Sequence, residues 1–129
     1  MRILALDFGA VRTGVAVSDA TGTIARPLEV VERAASPAGL ARVRDIVADH
    51  EAELVVVGLP LTLRGEQGSQ ALATEEFVRA LRDVLEVPVE SYDERFTTAI
   101  AAAGAGVAPE DARAAAHLLE SYLSRMGAR

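Results

Sequence analysis

At 129 residues, half apolar and a quarter charged, the chain is predicted to form a single globular domain that buries roughly two-thirds of its unfolded surface. It has no cysteine, which excludes disulfides, thiolate metal sites and thiol catalysis. The formal net charge of -6 argues against a sequence-independent nucleic-acid coat. No apolar run approaches the roughly 18 to 20 residues that cross a bilayer. The N-terminus enters a strand-like run without a signal-peptide pattern, so a cytoplasmic location is expected.

All thirteen basic side chains are arginine. Arginine grips phosphate bidentately where lysine offers a point charge, although the same bias, alongside the many alanines, also follows from genomic composition. An acidic average still permits a local basic rim.

In chain order, Ile3 to Leu6 and Val15 to Val17 read as two short strands. They are joined by a turn in which Gly9 and Gly14 permit close backbone approach. Asp19 to Gly22 is a hairpin turn, with Asp19 a turn former rather than a ligand. Ile24 to Val31 is a third strand whose Pro27 favours an edge or a bulge. Ser36 and Pro37 start a helix that turns Leu40, Val43, Ile46 and Val47 to one face. Glu53 to Gly58 reads as a buried central strand, and residues 59–69 as a loop.

A second helix is predicted from about Gln70 to Leu85, burying Leu72, Phe77, Val78, Leu81 and Val84. Val87 to Tyr92 is the fifth strand, ending in Asp93-Glu94-Arg95. A short alanine-rich helix follows from Thr97 or Thr98 and stops at Gly104 and Gly106. The last helix starts near Pro109 and sends Ala112, Ala115, Leu119, Tyr122, Leu123 and Met126 to the core. The order predicts an α/β fold: a five-stranded mixed sheet, an antiparallel meander followed by two parallel strands, with helices on both faces.

Ligands of such sheets gather beyond the carboxyl ends of the strands. Asp7 ends the first strand, Asp93 and Glu94 end the last, and Asp111 lies in the first turn of the last helix. Carboxylates converging there repel one another, and a divalent cation relieves the repulsion. All-oxygen ligands suit Mg²⁺ or Mn²⁺. Each acid also has an ordinary explanation: Asp7 in a tight turn, Asp93-Glu94 at a solvated strand exit, Asp111 against the helix dipole. Their joint placement at one edge is what favours a metal centre.

Arg12 and Arg95 fit as phosphate clamps beside it. Thr97 and Thr98 either donate to a nucleic-acid backbone or cap the next helix. Arg64 either closes over a substrate or is an ordinary surface arginine. Gly58-Leu-Pro60 shapes the cleft floor. His50 and His117 stand at no ligand spacing and read as structural or exposed.

Four ordered motifs carry a family resemblance: Asp7-Phe-Gly-Ala-Val-Arg-Thr-Gly-Val-Ala-Val-Ser-Asp19, Gly58-Leu-Pro-Leu61 with Gly65, Asp93-Glu-Arg-Phe-Thr-Thr98, and Asp111-Ala-Arg-Ala-Ala-Ala-His-Leu-Leu-Glu-Ser-Tyr-Leu123. In these the whole chain resembles the YqgF (RuvX) family, RNase H-like proteins related to the RuvC Holliday junction resolvases. The resemblance implies an RNase H-like fold and metal-dependent cleavage of nucleic acid, in maturation of the 5′ end of 16S rRNA or in junction resolution. Carried over by position, it implies Asp7, Glu94 and Asp111 as catalytic carboxylates and metal ligands, with Asp93 as helper. Val11 stands where the family often has lysine.

The expected activity is phosphodiester hydrolysis of precursor rRNA. A Holliday junction resolvase is the nearest alternative, and two equivalent strand cuts would call for a homodimer. An actin-like nucleotide-binding protein and a non-catalytic RNA-binding module are further alternatives.

Overall fold

The computed structural model describes residues 1–59, 68–93 and 109–127. The first apolar run forms β1 (Ile3–Asp7), which folds back on β2 (Arg12–Ser18) and then β3 (Ala25–Glu32) as an antiparallel meander. Helix α1 (Pro37–Asp49) crosses over to β4 (Leu54–Leu59), and α2 (Ser69–Val84) leads to β5 (Val89–Asp93). Helix α3 (Glu110–Gly127) follows. The sheet order is β3-β2-β1-β4-β5, with β4 parallel to both β1 and β5. The predicted alanine-rich helix after Thr97 lies outside the described residues.

Local chemistry explains the elements. The Asp19 carboxylate accepts from the backbone N–H groups of Ile24 and Thr23, at 3.0 and 2.8 Å, and from the Thr21 hydroxyl. These bonds hold it well below the usual carboxylate range and close the β2–β3 turn. Gly22 takes the left-handed φ of 73° that this turn requires. Pro27 lies on the edge strand, where a missing N–H costs no ladder bond, and the register shifts beside it: Ala16 faces Pro27 while Val15 faces Glu29. The intervening Leu28 is the extra residue of a bulge. Ser36 caps α1 by accepting from the Gly39 N–H at 3.0 Å, with Pro37 opening the helix.

Strand pleating divides the core in two. Leu4, Leu6, Val15, Val17, Val55 and Val57 face one side, where they meet Val43, Ile46 and Val47 of α1 and Phe77, Val78 and Leu81 of α2. Each large side chain buried there contributes on the order of 1.5–3 kcal/mol. Ile3, Ala5, Ala16, Leu54 and Val56 face the other side and meet Ala115, Leu118, Leu119 and Tyr122 of α3. Polar ties align α3 with β5: the Tyr122 hydroxyl donates to Glu90 at 3.0 Å, and the Tyr92 and Ser121 hydroxyls pair at 2.9 Å. The small residues of this second layer let the α3 backbone approach the sheet closely.

Two positions differ from the sequence expectation. Leu72 is 53% exposed and Met126 is 39% exposed. In α2 the inward row is Ala71, Thr74, Phe77, Val78 and Leu81, so Leu72 lies about 100° round the helix from Ala71. Thr74 is tolerated inside because its hydroxyl donates to the Gln70 carbonyl at 2.8 Å. Met126 lies in the last turn of α3, beyond Tyr122 and the partly buried Leu123. The strand called central, β4, is interior but second from the β5 edge; β1 holds the centre. Among the described residues no helix is long and apolar enough to cross a membrane.

Candidate active site at the sheet edge

The carboxyl ends of β1, β4 and β5 lie at one edge of the sheet, where β2 begins. Asp7 follows Ile3 and Ala5 in the strand period, so it belongs to the face that α3 covers. Directly across the ladder from Asp7 stands Gly14. A Cβ on Gly14 would overlap the Asp111 carbonyl and come within 2.9 Å of the Ala112 nitrogen. The first turn of α3 therefore rests on bare strand backbone, next to the residue that pairs with Asp7. Folding thus brings Asp7 and Asp111, remote in sequence, to one corner.

Arg12 joins them. Its Nε donates to Asp111 Oδ2 at 3.1 Å, with the two side chains 62% and 42% exposed. The loop that links these residues is fixed from several sides. Arg33 N–H donates to the Val11 carbonyl at 2.9 Å. Thr13, fully buried, makes long 3.4 Å contacts with both the N–H and the carbonyl of Gly9. The Phe8 ring stacks on Phe77 with centroids 4.3 Å apart, and the Gln70 amide reaches the Phe8 carbonyl at 3.5 Å. Thr13, Gln70 and Phe77 were absent from the sequence-derived site. The Gly9-to-Thr13 spacing was a usable signal, whereas the Phe8–Phe77 stack had none.

Asp93 is placed differently. Val89 lies in the α1/α2 layer and Tyr92 in the α3 layer, so strand alternation turns Asp93 away from the Asp7–Asp111 face. Among the described residues no group of three acidic or histidine side chains is close enough to hold a metal ion. The two carboxylates that do share the corner offer hard oxygen donors, the type that fits a divalent cation. Glu94, Arg95, Thr97, Thr98 and Arg64 lie outside the described residues. His117 pairs its Nδ1 with Glu120 at 3.4 Å, within α3, and His50 caps the end of α1.

A family model described as a Holliday junction resolvase, RuvX, matches residues 1–125. The chain belongs to the RuvX family. It is 43% identical over 130 residues to a Chloroflexus aggregans protein named "Putative pre-16S rRNA nuclease", covering 94% of this chain and 92% of that relative. A Roseiflexus protein of the same name is 40% identical over 100 residues, covering 78% and 71%. Among solved structures, Thermus thermophilus RuvC in complex with a Holliday junction substrate superposes with a TM-score of 0.66. It is 22% identical, and 98% of this chain and 96% of RuvC are covered. At that identity the likeness shows the fold, which is RNase H-like. The expected family and the expected mixed sheet are both borne out.

Proposed function

We propose that this RuvX chain acts over residues 1–129 as one metal-dependent nuclease that hydrolyses nucleic-acid phosphodiesters, with the 5′ end of precursor 16S rRNA as substrate. The supporting observation is the meeting of Asp7 and Asp111 at one corner through the backbone contact at Gly14. The names of the RuvX relatives supply the substrate class.

Asp7, Asp111 and Glu94 are the groups assigned to hold the cation, Mg²⁺ or Mn²⁺. When bound, the ion supplies the charge that activates water and stabilises the leaving oxygen. Asp93, on the other face, is at most a helper through the chain. Arg12 and Arg95 hold the phosphate adjacent to the cut, with Thr97, Thr98 and Arg64 as further backbone contacts. Fixing Arg12 in a strand orients the phosphate before reaction rather than during it.

The decisive experiment compares cleavage of a precursor 16S rRNA fragment and a four-way DNA junction by the wild-type chain and Asp7→Asn. Metal-dependent cutting of the RNA, abolished by Asp7→Asn in a folded protein, is the expected result. Cutting in clean Asp7→Asn protein refutes the site. Preference for the junction transfers the assignment to the second reading, a Holliday junction resolvase, which the family description favours and which requires a homodimer for paired cuts. RNA binding indifferent to metal, with no cutting, identifies a binding module instead.

A further inference from the structure

Arg12 has two partners that compete for its single positive charge. It pairs with Asp111 at 3.1 Å, a carboxylate assigned above to a cation, and it is itself assigned to the substrate phosphate. Resting on that metal-site assignment, we propose that Arg12 is the resident counter-ion of Asp111, displaced when a divalent cation enters and thereby released to the phosphate of the nucleic acid. Metal and substrate binding are then coupled through a single side chain.

Three observations carry this. First, the pair sits at the rim, 62% and 42% exposed. An exposed ion pair is weakly held, so a doubly charged ion displaces it readily; a buried pair would resist. Second, the backbone on both sides is pinned. Val11 accepts from Arg33 N–H, Arg12 lies in the β2–β3 ladder, and Gly14 is locked under Asp111. Exchange of partners therefore needs only side-chain rotation. Third, Glu32 stands directly opposite Arg12 on the neighbouring strand, close enough for a long side chain to reach. A released guanidinium thus has a holding partner until phosphate arrives. The turn from Phe8 to Val11 contributes no charge of its own, so Arg12 is the cation this turn delivers.

The test reads the guanidinium directly. In the full chain, the Arg12 Nε–H signal, assigned by its loss in Arg12→Lys, is followed by nuclear magnetic resonance during titration with Mg²⁺. It is expected to shift in step with metal occupancy, and a signal unmoved at saturation overturns the displacement. Calorimetry with Mn²⁺ and no substrate gives the second readout. Arg12→Gln is expected to bind Mn²⁺ roughly two- to five-fold more tightly, the range an exposed pair accounts for, while binding an RNA oligonucleotide in Ca²⁺ more weakly. Unchanged or weaker Mn²⁺ binding, or undiminished RNA binding, overturns the proposal while leaving the metal site standing. Absence of any divalent binding by the wild-type chain removes the metal site, and this coupling with it.

Discussion

Gly14 and Asp111 touch backbone to backbone, leaving no room for even a methyl group between β2 and the first turn of α3. Gly14→Ala is therefore expected to push the helix off the sheet and separate Asp111 from Asp7. Overpacking of this kind costs about 1–3 kcal/mol. Urea denaturation checks the stability. Cleavage is expected to fall further than the residual folded fraction explains, because the displaced Asp111 is one of the proposed cation ligands.

Phe77 is 1% exposed and stacks on Phe8, the residue that follows Asp7. Phe77→Ala should cost about 3–5 kcal/mol, the range for deleting a buried ring. Phe8→Leu keeps apolar volume but loses the stack, so it should leave the unfolding midpoint nearly unchanged and lower cleavage by loosening the turn. A Phe8→Leu enzyme with full activity would show that the ring does not hold Asp7.

Asp19 makes the β2–β3 turn pH-sensitive. The backbone N–H of Ile24, the Thr21 hydroxyl and the Thr23 N–H hold its folded pKa well below the ordinary value of 3.8. A depressed folded pKa gives stability that is complete above the unfolded pKa and is lost as pH falls toward the folded one. Denaturation of the wild-type chain between neutral pH and about pH 2 should show this loss setting in as pH falls below that ordinary value. Asp19→Asn should be less stable at neutral pH and lose less on acidification over the same interval.

Ser36→Ala removes the oxygen that accepts from Gly39 N–H. It should cost about 1 kcal/mol, as for other N-caps. Far-ultraviolet dichroism through a urea transition measures it. Cleavage should be unaffected under folding conditions, since this helix end belongs to neither Asp7 nor Asp111.

Chain punctuation and the β-branched runs were legible in the sequence because each follows from one local rule. Ser36-Pro37 can open a helix with little competition, Pro27 cannot sit in a central strand, and Val55 to Val57 have nowhere to go but inside. What escaped was long-range or concerned small residues. Ala71 and Thr74 say little about which way α2 faces, so the exposed Leu72 was assigned inward. Gly14 could be read as a place for close approach, but its partner, Asp111, could not. Arg12 was legible as a cation near the site, whereas its ion pair with Asp111 depends on the docking of α3. The Asp93 orientation depended on strand parity, which one residue of uncertainty in a strand end reverses.

The corner that gathers Asp7 and Asp111 is assembled from β1 and α3, which stand at opposite ends of the described element order. That strand edge stays bare until α3 settles on Gly14, so a growing polypeptide can form its meander and both crossovers before the proposed centre exists.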